Sequence, residues 1–304
     1  MHIEQVSYKG FSNAVRVTNG IIELITPLDF GMRILHLGFI GDQNEFFNID
    51  PLVIPKDPAN TWELYGGHRL WVAPEKPGLT DLPDNTPIRF EQHGDVIRFI
   101  QPADGVSRLE KEIDVRMLPD AASIEVTHRI RNHGVWDVQF ALWALSVMRA
   151  GGTGIIPLPP RGTHPEQLLA TSSLALWAYS DLSDPRFQFG RRYIYLHQDA
   201  KAVAPQKLGA CVPDAWAAYV NDGHVFVKQF AYTAVSSQPL PDLNCNVEMF
   251  TNANMLELET LSRMLTLRPG AQAEHKERWT LARNVPAVTN DEEVDQVVLP
   301  LLSR

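Results

Sequence analysis

The segment TWELYGGHRLWVAPE, residues 61–75, sets two tryptophans, a tyrosine, two adjacent glycines, a histidine and an arginine in one short run. A plain core strand has little use for His68 and Arg69, and a solvent loop has little use for Trp62 and Trp71. Glycine pairs permit positive φ or close approach of backbone to a ligand. Histidine exchanges protons near neutrality, and arginine offers a planar fork of donors. Flat aromatic faces cover the C–H faces of a sugar ring. The alternative is a glycine turn whose His and Arg cap a strand end. A second run, MLELET at 255–260, alternates: Leu256 and Leu258 fall on one face, and Met255, Glu257 and Glu259 on the other. If that face is shielded, the two carboxylates repel and one pKa rises into the range of a general base. If it is open, the pair is a solvated outer face. Arg33 in FGMRILHLG, Lys207 in PQKLGACVPDAWAAY and Arg186 in DPRFQFGRRY are further candidates. His128 and His133 fall on opposite faces of a strand, which argues against shared metal ligation, and no metal is expected. The chain has no HExxH, GxSxG, Walker or Rossmann pattern.

The elements that must hold these residues read as strands. IIELIT (21–26), VIRFIQ (96–101), RLEKEIDVRM (108–117), SIEVTHRIR (123–131), HVFVKQF (224–230), NVEMFT (246–251) and MLTLR (264–268) are short, β-branched or aromatic, and often alternating. Turn signals part them at Pro119-Asp120, Asn132-His133-Gly134, Asn221-Asp222-Gly223 and Pro269-Gly270. In AEHKERWTL, His275, Glu277, Trp279 and Leu281 share a face, with His275 and Glu277 expected near the strand's wet end. Helix is expected only in TNDEEVDQVVLPLL, where Asn290 is the N-cap and Asp291, Glu292 and Glu293 suit the first turn. Without βα alternation, the expectation is one all-β sandwich domain over residues 1–304 with less than about a fifth helix.

Composition narrows the partners. The 304 residues are 44% hydrophobic and carry a net charge of −9, with lysine and arginine scattered. Nucleic acid is therefore not expected as a partner. The longest apolar run, FALWALSVM at 140–148, is too short to span a bilayer, and the N-terminus shows no leader pattern. Cys211 and Cys245 fit no metal spacing and read as ordinary thiols, so a cytoplasmic protein is expected.

Taken together, these motifs resemble the galactose mutarotase-like, or aldose 1-epimerase-like, superfamily, and most closely a bacterial branch in which YGGHRLWVAPE recurs. The carrying residues are GMRI at 31–34, YGGHRLW at 65–71 and the late run LELETLSRMLTLRPG…ERWTL. The resemblance implies a supersandwich of stacked, mostly antiparallel sheets that binds a mono- or oligosaccharide on a concave face, acting as monomer or homodimer without cofactor. It implies Glu257 as base, with Glu259 as the alternative if the register slips by two. It implies His68 as acid and Arg33 as a hydroxyl contact; with these, Arg69, Trp62, Trp71, Trp143, Glu259 and Lys207 are expected as substrate-binding residues. The chain departs from the pattern where the family places its mid-chain acid histidine: WDVQFALWALSVMRAGG has no His, and Trp143 or Ser146 stands there. The family's aspartate is also not evident, Asn246, Glu248 and Asn252 being the nearest polar substitutes. The implied activity is sugar anomerisation; the alternative is a sugar-binding protein without turnover.

Overall fold

The computed structural model describes residues 1–49, 65–80, 82, 84–234 and 236–302. Its elements run in chain order as β1 (His2–Tyr8), β2 (Phe11–Thr18), β3 (Ile22–Pro27), β4 (His36–Phe39), β5 (Gly67–Ala73), β6 (Arg89–His93), β7 (Val96–Gln101), β8 (Leu109–Met117), β9 (Ser123–Asn132), β10 (Val138–Met148) and β11 (Thr153–Pro157). They continue as β12 (Leu174–Leu176), β13 (Phe187–Phe189), β14 (Tyr193–His197), β15 (Gln206–Ala210), β16 (Trp216–Asn221), β17 (His224–Phe230), β18 (Val247–Thr251), β19 (Leu256–Leu261), β20 (Leu265–Leu267), β21 (Gln272–Arg283), α1 (Asp291–Val297) and α2 (Leu299–Leu302). Strand accounts for 48% and helix for 4%, so the all-β expectation holds. No helix among the described residues is long and apolar enough to cross a membrane.

Among the described residues the strands form three antiparallel sheets: β1–β4; a seven-stranded sheet with β10 between β5 and β19, continued by β18, β15 and β12, and with β20 also paired to β10; and a ten-stranded sheet. One core cluster draws on all three, including Val15 and Leu24 from the first, Leu70, Leu142, Met249 and Leu258 from the second, and Phe99, Ile113, Phe226 and Trp279 from the third. Leu256 and Leu258 lie on the inner side, as their alternation predicts. The far face of the ten-stranded sheet is covered by α1 and α2, where Val294, Val298 and Leu301 pack on Tyr193, Trp216 and Val227. Asn290 is the N-cap, its side chain accepting from the Glu293 amide at 3.0 Å. The buried Asp291 carboxylate accepts from the Arg191 and Arg192 amides and the Tyr195 hydroxyl, fixing the helix to β14.

Gly66 and Gly67 launch β5, with φ of 86° and 75°. A Cβ on Gly66 would strike the Phe47 carbonyl oxygen, and one on Gly67 the Ile34 carbonyl oxygen. Both reasons for glycine therefore apply, and the pair lets β5 enter against the segments around Ile34 and Phe47. Because the obstructing atoms are backbone, Gly67→Ala is expected to destabilise the protein by about 2–4 kcal/mol, from the left-handed conformation and overpacking together. Chemical denaturation checks this; a change under about 0.5 kcal/mol contradicts it.

Candidate functional site

Alternation along β5 gives its two sides different tasks. Leu70 and Val72 join the core between the sheets, whereas Trp71 and Ala73 join a separate cluster with Ala141, Trp143, Leu145 and Leu261 on the seven-stranded sheet's other face. Cross-strand register extends that second face. One row runs Gly67, Val147, Glu257, Phe250, Lys207; the next runs Arg69, Leu145, Glu259, Glu248, Gly209; a third pairs Trp71 with Trp143 and Leu261. Side chains then cross between rows. Arg69 Nη2 reaches Glu257 Oε1 at 3.3 Å, and Lys207 Nζ reaches Glu248 Oε2 at 2.7 Å and Glu259 Oε2 at 3.0 Å. Gly209 makes this possible, because a Cβ there would press on Cys245 Sγ at 2.6 Å and Glu248 Cγ at 3.2 Å.

These residues line or floor a cleft of about 320 Å³, whose walls include Arg69, Trp71, Trp143, Lys207 and Glu257. That volume suits a small ligand. Arg69 stacks 4.0 Å from the Trp71 ring centre. Lys207 lies 4.8 Å from the ring centre of Trp143 and 4.6 Å from that of Trp177. Trp71 and Trp143 meet edge to face at 5.7 Å, and Trp143 Nε1 donates to Glu259 Oε2 at 2.8 Å. A roomier groove of about 470 Å³ lies beside α1, lined by Arg161, Arg192, Tyr193 and Asp291 among others. Arg192 there is paired with Asp295 and Glu292, and the groove has one aromatic ring, so the smaller cleft is the better candidate.

The two carboxylates of LELET have separate fates. Neither is on a solvated face. Glu259 is fully buried and held by Lys207 and Trp143, whereas Glu257 opens on the cleft. Burial pushes the Glu257 carboxyl up to about 7; Arg69 opposes the rise and Glu259 adds to it. Burial likewise raises Glu248 well above the carboxylate range. Burial pulls the Lys207 ammonium down, but Glu259 and Glu248 outweigh it and the net shift is upward.

His68 is on the other side of the sheet. It is wholly buried, with Nδ1 2.9 Å from Ser146 Oγ and Nε2 2.7 Å from His128 Nε2. The expected face-to-face pairing of Glu257 with His68 across one ligand is therefore not met: even and odd positions of β5 point opposite ways. His68 instead belongs to a network between the sheets. His128 Nδ1 donates to the His275 carbonyl at 3.1 Å. With His128 neutral, its Nε2 accepts from His68 Nε2–H, and His68 Nδ1 accepts from the Ser146 hydroxyl. Lys228 Nζ lies 3.0 Å from Glu277 Oε1 and donates to the Ala144 and Leu258 carbonyls, while Glu277 also accepts from Thr260 and from Trp279 Nε1. His275 and Glu277 are thus buried, not at a wet strand end; β21 is long enough to carry both across the middle of the molecule. Ligand atoms of His68, His128 and Glu277 lie within 4.8 Å of one another. The two imidazoles sit at hydrogen-bonding distance, and the Lys228 ammonium occupies the neighbourhood a divalent ion would need.

Arg33 is also buried away from the cleft: it pairs with Asp84 at 2.7 Å and lies 5.2 Å from the Tyr65 ring centre. Trp62 falls outside the described residues. Among the expected residues, then, Arg69, Trp71, Trp143, Lys207 and Glu257 meet in the cleft, with Glu259 behind them. Sequence reasoning missed Trp177, Tyr179 and Phe250 as cleft walls. The Trp-Ala-Tyr spacing at 177–179 echoes the aromatic density at 61–71 and was the available signal. Glu248 and Asn252, which the family pattern marks only as substitutes for an aspartate, lie against Lys207 and on the cleft lining respectively.

No protein-family model and no curated protein matches the chain. Solved structures do. A candidate aldose 1-epimerase from Klebsiella pneumoniae superposes with a TM-score of 0.62 at 14% identity, covering 99% of this chain and 87% of its own. A galactose mutarotase-like protein from Lactobacillus casei gives 0.57 at 9% identity, covering 89% and 100%. A galactose mutarotase related enzyme from Lactobacillus acidophilus gives 0.56 at 10%, covering 90% and 99%. The likeness establishes the galactose mutarotase-like fold.

The interlayer network has a signature in solution. Burial pulls His275 down to about 3 from an ordinary 6.5, and lowers His68 and His128 as well. Below about 6.5 the unfolded chain takes up protons that the folded chain refuses, so stability falls as pH drops from 6.5 toward 3. Glu277, lowered to about 2 by its cationic surroundings despite its burial, adds to the loss as pH falls from 4.5 toward 2. Glu257 and Glu248, both raised by burial, act in the opposite sense over part of this range. The network is therefore isolated by comparison: wild type should lose more urea stability between about pH 7 and about pH 4 than His275→Gln does, and equal losses contradict the neutral-histidine network.

Proposed function

We propose that this chain is a carbohydrate-active protein of the aldose 1-epimerase type. On this reading its sugar stands against the tryptophan wall of the cleft, and Glu257 accepts the proton of the anomeric hydroxyl. The supporting observation is a carboxylate with a pKa raised to about 7 that lines a cleft walled by Trp71, Trp143 and Trp177. Such a group divides its time between acceptor and donor at neutral pH, as reversible proton transfer requires. Arg69 keeps the carboxylate oriented and limits the rise in its pKa. Aromatic rings suit a ring-shaped ligand with apolar C–H faces and hydroxyl edges. Removal of the hydroxyl proton forms the C1 carbonyl, the ring C1–O5 bond breaks, and reclosure on the other face of C1 gives the second anomer. The likeness in fold to mutarotase-like proteins agrees with this reading. The same reading takes the protein as cytoplasmic, a monomer or homodimer, acting on a mono- or oligosaccharide without nucleic acid, membrane, metal or nucleotide.

The second reading is sugar binding without turnover. It is favoured by His68, which would supply the acid but lies across the sheet with both ring nitrogens engaged.

Polarimetry on freshly dissolved single anomers distinguishes the two, with tryptophan fluorescence reporting binding. Wild-type rate should rise as pH increases through about 7, because the base must be unprotonated and its folded value is the one that governs. Glu257→Gln should retain sugar affinity within about tenfold and lose about 10²–10⁴ in rate, or about 3–5 kcal/mol of transition-state stabilisation. Equal rates for the two proteins would remove Glu257 as the base. Binding with no acceleration over buffer would establish the second reading.

A further inference from the structure

The ring-opening step needs a proton donor for the ring oxygen, and the cleft holds one that no motif announced. Tyr179 is 43% exposed on the cleft wall, in the turn that follows β12. The turn is fixed to β15: the Ser180 hydroxyl donates to the Lys207 carbonyl and accepts from the Trp177 amide at 3.1 Å, and the Asp181 amide donates to Gln206 Oε1 at 2.8 Å. The phenol ring stands edge-on to Phe250 at 6.5 Å, and Phe250 is the direct cross-strand neighbour of Glu257. Glu257 and Tyr179 thus flank one aromatic residue on the wall of the same cleft. The Tyr179 hydroxyl makes no hydrogen bond among the described residues, so its proton is available to a ligand.

Glu75 also lines the cleft but is exposed at its edge, and no contact among the described residues holds it toward Glu257. The remaining polar lining groups are engaged or lack an acidic proton. Arg69 is tied to Glu257 and keeps its protons. Lys207 is held by Glu248 and Glu259. Asn252 has no acidic proton to give.

Resting on the epimerase reading above, we propose that Tyr179 is the catalytic acid that complements Glu257. The electrons and protons balance within the site. Glu257 takes the proton from O1, the O1 lone pair forms the C1 carbonyl, and the C1–O5 pair leaves on O5, which takes the proton of Tyr179 Oη. After rotation about C1–C2 the phenolate recovers that proton as O5 attacks C1, and Glu257 returns its proton to O1. No co-reactant is consumed. Burial pushes the phenol up to about 12; Lys207 opposes the rise, and Glu259, Glu75 and Glu257 add to it. A phenol in that range stays protonated at neutral pH. Its acidity is close enough to that of the sugar hydroxyl formed at O5 for transfer in both directions, and Lys207 is the charge that stabilises the transient phenolate.

The test compares wild type with Tyr179→Phe, a change at a partly exposed site that keeps the ring and its contact with Phe250. Single anomers of several neutral aldoses are followed by polarimetry, with sugar affinity measured by calorimetry. The expected result is a loss of about 10²–10⁴ in kcat with sugar Kd within about threefold. In the variant, small exogenous acids should restore part of the rate above the uncatalysed buffer reaction; wild type should not respond. A variant kcat within about threefold of wild type, or a loss carried by sugar affinity alone, overturns the role of Tyr179 and leaves the epimerase reading standing. A wild type that binds sugars but does not accelerate any of them overturns the epimerase reading, and the acid assignment falls with it.

Discussion

The structure depends on one buried contact, the Lys228 ammonium between the two large sheets. Its three protons find Glu277, the Ala144 carbonyl and the Leu258 carbonyl. Two of those partners are backbone atoms of β10 and β19, the strands that carry Trp143 and Glu257. Isolated charges are very costly in an apolar interior, and a pair is tolerated only when its remaining hydrogen-bonding capacity is met. Here Thr260 and Trp279 complete the Glu277 side and the two carbonyls complete the lysine side. A slip of β10 or β19 by one residue would bring different carbonyls to Lys228 and turn every side chain of the slipped strand to the wrong face. The pin between the layers therefore also decides which carboxylates reach the cleft.

That constraint explains what was legible in the sequence. Leu256-Glu257-Leu258-Glu259 is strict alternation, and the leucines are in the core with the glutamates outward. Asn290 and the acidic first turn mark the one clear helix start, and the N-cap is there. Trp71, Trp143, Lys207 and Arg69 converge with Glu257 because their parities agree across five strands. His68 and Arg69 are neighbours on one strand, so only one of them can face the cleft. Sequence alone does not fix that phase; the partner strand does, through the pairing of Arg69 with Leu145 and of His68 with Ser146. The Gly-Gly-His resemblance pointed to the histidine, whereas the register selects the arginine.

The unread parts have different causes. His275 and Glu277 are polar residues on a long strand, and polarity suggests water. They are dry because each finds a partner on another strand: His275 reaches Thr260 of β19, and Glu277 reaches Lys228 of β17. Satisfied polar clusters of this kind are invisible to a hydrophobic pattern, since nothing local tells a buried network from an exposed face. Tyr179 lies in a turn, where no period exists to give its side chain a direction. The ties of Ser180 to Lys207 and of Asp181 to Gln206 set it on the cleft wall.

The cations of the cleft do more than neutralise its acids. Arg69 and Lys207 each bind a carboxylate and also lie over tryptophan faces, Arg69 on Trp71 and Lys207 between Trp143 and Trp177. A cation against one face of an indole draws on the negative quadrupole that would otherwise attract the C–H groups of a ligand on the opposite face. The wall therefore acts on a ligand mainly through apolar area and rigidity. Direction comes from the polar groups that line the cleft with it, Glu257 held by Arg69 and Tyr179 across Phe250 from Glu257. On the epimerase proposal, such a wall constrains a sugar ring less by its faces than by its hydroxyl edges, which is the freedom that turning C1 requires.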